Sequence, residues 1–483
     1  MTHPLLGKTS LALVFMGLVL AIPYGSPKMR NFRVVDAPWD HRDGPPALGA
    51  AHIAAPAAAP SVGETTLSAS SNEGTVTNAL PQDGKREELD PAVLAKTAGS
   101  LAVEDPTLHA LDTFYAHLAK TLRKEPGAVT RVLHYGDSLI TSDFISGTMR
   151  RKMQARFGDA GHGFILVANG WEWYFHNDVM HSASEGWVAN RITGPLVGDG
   201  LYGLGGVSFR AGAGSSATFA TKSPAKSEFG TKVSRFDLYY LEHPAGGDVA
   251  LYVKGMAPEK LSTRGPMKVS RVHSVEVPDG ASELTIRAAG EARLFGVALE
   301  RDVPGIVYDA LGANGARVRL LEYINTEHWA EQMALRKPAL IILQYGTNET
   351  AWGYDDTYEE TLTKVVRKVK EAAPDASILL AAPLDRAERG RGGALETMPV
   401  IQKLVETQRR VASDQKVAFW NTFEAMGGKG SMGRWVKANP QLAGWDLMHP
   451  TPAGAEVIGD MLFKALTTGY QAYASTHPDA PAL

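Results

Sequence analysis

One serine, one histidine three residues from an aspartate, and two segments rich in backbone and amide donors are the chemistry-bearing parts of this chain. They sit in four short motifs: Gly136-Asp137-Ser138, Gly312-Ala313-Asn314-Gly315, Gly346-Thr347-Asn348 and Asp446-Leu447-Met448-His449-Pro450. A serine hydroxyl becomes a useful nucleophile when a neighbouring base takes its proton, and an imidazole steadied by a carboxylate can be that base. Backbone N–H groups and a carboxamide can then hold the oxyanion formed when the hydroxyl adds to a carbonyl. Losing one such donor typically costs about 3 kcal/mol of barrier. Together the motifs supply the parts for acyl transfer. Taken singly each has a blander reading: an N-cap serine, a glycine at positive φ, a loop asparagine, a capping aspartate on a turn. Their joint occurrence, in this order and at strand ends, outweighs those readings.

Three of the motifs follow apolar runs that read as buried strands, Arg131–Tyr135, Gly305–Leu311 and Ala339–Tyr345. Two further strands, Ser377–Pro383 and Val417–Asn421, continue the rhythm. Helices are expected between them over Thr357–Ala373 and Met398–Ser413, and over Gly147–Phe157 after the serine motif. An earlier helix should open at Asp105-Pro106 and carry Leu108, Leu111, Tyr115, Leu118 and Leu122 on one face. Five strands alternating with helices predict an α/β fold, a doubly wound parallel five-stranded sheet covered on both faces. Ligands on such sheets bind beyond the carboxyl ends of the strands, where these motifs lie. A serine at a helix N-terminus also meets free N–H groups and a dipole that favour developing negative charge.

Between about residues 170 and 301 the apolar period changes to two, as in Phe236/Leu238/Tyr240, Val249/Leu251/Val253 and Phe295/Val297/Leu299, with glycine-rich breaks between. That pattern predicts an antiparallel β-sandwich inserted into the α/β domain. It brings Trp171, Trp173, Tyr174 and Trp187, whose rings could stack on sugar faces; Trp171 and Trp173 would share a face if their segment is a strand. Such aromatics serve more often as core. Trp352, just past the asparagine motif, is read as lining the acyl pocket, and Trp445 as packing the histidine turn. The loop Asp385–Gly393, with three arginines, is read as a solvated charged loop.

The 483-residue chain has a net charge of −3, which provides no basic field for nucleic acid. It has no cysteine, which excludes thiol catalysis, Cys-based zinc sites and disulfides. Its 14 histidines form no His-Glu-x-x-His pattern, so neither a catalytic metal nor a cofactor is expected. Lys8 precedes an apolar run from Leu11 to Pro23, which suits a secretory signal and is shorter than the roughly 20 residues of a spanning helix. Residues 1–30 are therefore read as a signal peptide or a signal anchor. Residues 31–88, rich in Ala, Pro, Ser and Gly, have no helical or strand period and are read as a disordered linker. The remaining boundaries are 89–169 and 302–476 for the two parts of the catalytic domain and 170–301 for the insertion.

The blocks His134-Tyr135-Gly136-Asp137-Ser138, Gly312–Gly315, Gly346-Thr347-Asn348-Glu349 and Asp446–Pro450 together resemble those of the SGNH (GDSL) hydrolases. The resemblance covers about Leu108–Phe157 and Gly305–Leu466. It implies a flavodoxin-like sheet of the SGNH type, Ser138 as nucleophile, His449 as base and Asp446 as its orienting acid. The implied oxyanion donors are the Ser138 N–H, Gly315 and Asn348, with Gly312 an alternative to Gly315. The run Phe157-Gly158-Asp159-Ala160-Gly161-His162-Gly163-Phe164 and the position of the insertion are similar to the family's bacterial peptidoglycan O-acetylesterases, in which the inserted β domain resembles a carbohydrate-binding module.

The expectation is an exported serine esterase, periplasmic or attached to the inner membrane through its N-terminal segment. It would remove O-acetyl or other small acyl groups from peptidoglycan or another envelope polysaccharide. Two rivals stand beside it: an O-acetyltransferase using the same triad, with a sugar hydroxyl in place of water, and a catalytically decayed glycan-binding envelope protein.

Overall fold

A computed structural model describes residues 101–212, 214–351 and 353–483. The proposed leader and the linker lie outside the described residues. Among the described residues no helix is long and apolar enough to cross a membrane.

The central sheet has five parallel strands in the order Gly305–Gly312, Val129–Gly136, Leu340–Gln344, Ser377–Ala381, Ala418–Trp420. We call the first three the glycine, serine and asparagine strands. Their side chains alternate between two covered faces, as a doubly wound sheet requires. Leu133 and Tyr135 of the serine strand pack with Leu362 and Val365 of the helix Tyr358–Ala372 and Ile401 of Pro399–Asp414. Val132 packs on the other face with Met149 of the helix Phe144–Phe157 and Ile458 of Pro452–Thr476. The registers align the strand ends: Gly136 pairs with both Gly312 and Gln344, and Gln344 with Ala381. Every loop leaving a carboxyl end thus starts from the same edge.

The antiparallel insertion has two sheets. One runs Val269–Gly280, Val233–Glu242, Arg293–Glu300, Val207–Ala211, Trp187–Arg191, with Gly163–Leu166 also paired to Arg293–Glu300; the other runs Val179–Ala183, Ser216–Thr221, Glu283–Ala289, Asp248–Val253, Glu259–Ser262. Phe209 and Leu238 of the first and Phe219, Leu251 and Ile286 of the second lie in one buried core. The strands of these sheets begin at Gly163, a few residues before the boundary read near 170, because that short apolar segment pairs with Arg293–Glu300 instead of joining the parallel sheet.

The first helix also differs from expectation. It begins at Asp112, not at Asp105-Pro106. The Asp105 carboxylate accepts hydrogen bonds from Thr107 N at 2.9 Å and Ala110 N at 2.9 Å, closing a local turn that competes with the helix. Leu108 consequently sits at φ 62° and is 82% exposed instead of facing the core.

An ion network joins the insertion to the sheet. Arg336, buried at the end of the helix Thr326–Arg336, bonds both oxygens of Asp309 on the glycine strand at 2.6 and 2.7 Å and also reaches Glu300 at the end of an insertion strand. Arg131 of the serine strand and Arg235 of the insertion hold Glu300 from the other sides at 2.7 and 2.8 Å. Asp309 also accepts from Phe164 N at 2.8 Å.

Candidate active site

The serine strand ends at Gly136, and Asp137 caps the short helix Ser138–Thr141 by accepting from Leu139 N at 3.0 Å. This helix lies directly on the end of the glycine strand: a Cβ on Gly312 would stand 2.2 Å from Thr141 N. Glycine at that position therefore answers to steric closeness. Gly315 has the opposite character, since it is exposed, its Cβ direction is open, and its φ of +73° is what favours glycine.

On the far side of the sequence, Asp446–His449 forms a tight turn. Asp446 Oδ1 accepts from Met448 N and His449 N, each at 3.1 Å, and Gly444 N donates to His449 O at 2.7 Å. Thr451 then caps the helix Pro452–Thr476 through its hydroxyl. The turn fixes the imidazole: His449 Nδ1 lies 2.6 Å from Asp446 Oδ2, and His449 Nε2 lies 2.7 Å from Ser138 Oγ. With Asp446 charged, this pattern assigns the proton to Nδ1 and leaves the Nε2 lone pair for the serine O–H. Residues 311 positions apart in sequence are in hydrogen-bond contact.

The electrostatics suit that arrangement. The hydrogen bond to Asp446 holds the His449 pKa above the ordinary imidazole value against the opposing effect of burial, and the nearby Asp137 adds to the rise. Burial pushes the Asp446 carboxyl up, but the bonds from His449 and Met448 outweigh it and keep it below the usual carboxylate range. Asp137 is different. Fully enclosed, it is pushed up to about 6 by burial, although its bond from Leu139 N opposes the rise.

The glycine and asparagine segments leave the two strands that flank the serine strand, and they are tied to each other. Asn348 Nδ2 donates to Ala316 O at 2.9 Å, and Val318 N donates to Glu349 Oε1 at 2.8 Å. The Gly315 N–H makes no hydrogen bond among the described residues. Sequence reasoning missed Arg386, having assigned Asp385–Gly393 to solvent. Its guanidinium donates to Thr347 O at 3.2 Å and to the Thr350 hydroxyl, while the next residue's N–H donates to Leu447 O at 3.0 Å. The segment thus fastens the asparagine segment to the histidine turn. The rest of the loop forms a small hairpin, Ala387–Arg389 with Leu395–Thr397.

The aromatic candidates separate. Residues 171–175 form turns instead of a strand, so Trp171 and Trp173 do not share a strand face. Trp171 packs against the insertion core and donates its indole N–H to Thr193 Oγ1 at 3.2 Å. Trp173 is 64% exposed and makes an edge contact with Phe175, whose N–H donates to Thr141 O at the end of the serine helix. Tyr174 is core, its hydroxyl accepting from Leu166 N at 2.8 Å. Trp445, read as packing the histidine turn, is 55% exposed. Trp352 lies outside the described residues. Asp143, His162 and His176 bring potential metal-ligand atoms within 4.8 Å of one another. Arg150 already pairs with both Asp143 oxygens, at 3.1 and 2.6 Å, and the two imidazoles bond each other at 2.8 Å.

Residues 281–457 match the model of the GDSL-like Lipase/Acylhydrolase family. That stretch holds the glycine, asparagine and histidine motifs, whereas Ser138 lies upstream of it, across most of the inserted sheets. No curated protein sequence matches the chain. Among solved structures, one described as a peptidoglycan O-acetylesterase in action is 23% identical, covers 77% of this chain and 99% of its own, and has a TM-score of 0.65. A Bacillus subtilis protein is 14% identical over 60% of this chain and 90% of its own, with a TM-score of 0.29. A family two carbohydrate esterase from Clostridium thermocellum in complex with cellohexaose is 13% identical over 59% of this chain and 98% of its own, with a TM-score of 0.26. Residues 281–457 thus carry a GDSL-like lipase/acylhydrolase domain, in a chain that shares its fold with that peptidoglycan O-acetylesterase structure, and the match supports a carboxylic ester hydrolase.

Proposed function

We propose that this protein is an exported serine esterase that removes O-acetyl groups from an envelope glycan, with Ser138, His449 and Asp446 as its catalytic triad. The observation that carries the assignment is the continuous pair of bonds, 2.7 Å from Ser138 Oγ to His449 Nε2 and 2.6 Å from His449 Nδ1 to Asp446 Oδ2. Ser138 Oγ adds to the ester carbonyl carbon as His449 Nε2 takes its proton. The resulting oxyanion is held by the Ser138 and Gly315 N–H groups and by the Asn348 carboxamide. As the intermediate collapses, the bond to the sugar oxygen breaks and His449 returns the proton to that oxygen. Water, deprotonated by His449, then releases acetate from Ser138. The charge of Asp446 stabilises the imidazolium in both halves.

Hydrolysis is favoured over transfer because the side chains of His449 and Asp446 are 36% and 48% exposed, which leaves the acyl-enzyme open to water. The glycan substrate is supported by the shared fold with a peptidoglycan O-acetylesterase, and export by the apolar run Leu11–Pro23. The test is acetate release from O-acetylated peptidoglycan. The intact protein should release acetate, and Ser138→Ala should lose at least about a thousandfold in kcat/KM while keeping its circular dichroism spectrum. Net acetyl gain by the glycan, or equal turnover by the variant, would overturn the reading.

A further inference from the structure

Beside the glycine and asparagine segments opens a cavity of about 260 Å³ that the mechanism above does not use. Arg317, Arg319, Glu349, Asp355 and Tyr358 line it. We infer that this cavity is a carboxylate-binding subsite in which Arg317 and Arg319 recognise an acidic group carried by the glycan near its O-acyl position. The inference rests on the esterase reading and adds a substrate class to it.

Three observations support it. First, neither guanidinium makes a hydrogen bond or an ion pair among the described residues; half-buried Arg317 differs in this from Arg131, Arg150, Arg235, Arg293 and Arg336, and Arg319 is exposed. A guanidinium presents a planar fork of donors that matches a carboxylate. Second, the acids nearby feel this charge without forming an ion pair with it. Asp355 spends Oδ1 on its own turn, accepting from Thr357 N at 2.9 Å and Thr357 Oγ1 at 2.7 Å. Burial pushes Glu349 up to about 7, so much of it is uncharged at neutral pH. Third, Glu349 Oε1 is held by Val318 N at 2.8 Å, so this carboxyl is tied to backbone and pairs with neither guanidinium.

Position makes the cavity relevant to the reaction. Arg317 is two residues past Gly315, and Glu349 adjoins Asn348, so an acid bound here sits beside the proposed oxyanion donors. At about 260 Å³ the cavity has room for a carboxylate together with part of the sugar or arm that carries it. Two sources share that chemistry: the ring carboxylate of a uronate, and the carboxylate of an acidic ether or peptide arm on an amino sugar.

The experiment compares kcat/KM for each O-acetylated polymer, a polyuronate and a peptidoglycan, in its native form and with its carboxylates converted to methylamides. The intact protein should prefer the acid form of one polymer by about tenfold or more, and the double variant Arg317→Gln/Arg319→Gln should lose that preference. The responding polymer identifies the source. Absence of preference in both arms, or preference surviving the double variant, overturns the inference. Should the double variant not fold, Arg319→Gln, at an exposed position, takes its place. A second readout needs no substitution: deacetylated oligosaccharide of the responding polymer should inhibit the intact protein about tenfold better as acid than as amide. Turnover of a neutral activated acetate ester separates the two failures, because an enzyme that hydrolyses it yet ignores carboxylates remains an esterase without this subsite.

Discussion

At the residue scale the proposed chemistry turns on one imidazole. His449 must be neutral to accept the serine proton, and its hydrogen bond to Asp446 raises its pKa above the ordinary value of 6.5. The acid limb of kcat/KM should therefore have its midpoint above 6.5, with activity lost as pH falls through it. Asp446→Asn removes the charge that raises it, so kcat should fall by about 10³–10⁴ and the midpoint should move down. A midpoint that does not move on this substitution would detach Asp446 from His449. These residues were legible in the sequence because each has a distinctive neighbour pattern. Arg386 was not, since nothing in the spacing of a three-arginine loop tells which one turns inward to Thr347 and Thr350. Trp173 was legible as an aromatic but not as an exposed one, because a spacing of two means a shared face only where the backbone is extended.

At the element scale the site depends on how closely the serine helix sits on the strand ends. The two glycines of the glycine motif do different work, and substitution should separate them. Gly312→Ala places a methyl 2.2 Å from Thr141 N, where only backbone could yield, so it should destabilise by more than the usual 1–3 kcal/mol of roughly overfilled packing and depress kcat by displacing Ser138. Gly315→Ala meets no atom within 4 Å and should cost only the roughly 1–2 kcal/mol of a left-handed conformation. Urea denaturation of both variants checks the order; a more stable Gly312→Ala protein would contradict it. The five parallel strands were readable as apolar runs, three of them directly before a motif, since burial on both faces leaves no polar alternation to confuse them. Helix starts were less readable: at Asp105 a local side-chain turn competes with the same N-cap signal and delays the helix to Asp112.

At the scale of the whole molecule, the insertion is fastened to the sheet by charges that no motif announces. Arg131, Arg235, Glu300, Asp309 and Arg336 are scattered through the sequence and meet only because the strand register brings them together. Burial pushes the Glu300 carboxyl up, but Arg336, Arg131 and Arg235 outweigh it and bring its pKa down to about 2. A carboxyl depressed in this way stabilises the fold above the unfolded carboxylate range near 4.3. That contribution is lost as pH falls towards about 2. Arg336→Met leaves buried Asp309 without a cation and removes one of the three from Glu300, and should destabilise by roughly 3–5 kcal/mol in urea at neutral pH. A change below about 0.5 kcal/mol, the range of ordinary surface substitutions, would mean the network does not hold the parts together.

The central claim is that Ser138 is the nucleophile, and covalent trapping tests it most directly. Treatment of the full chain with a serine-directed phosphonofluoridate, followed by intact-protein and peptide mass spectrometry, should give a single adduct on the peptide containing Ser138. That adduct should be absent after Ser138→Ala and slowed by His449→Ala. Labelling of a different residue with parallel loss of esterase activity, or full inactivation of the Ser138→Ala protein's remaining turnover at the wild-type rate, would contradict the account.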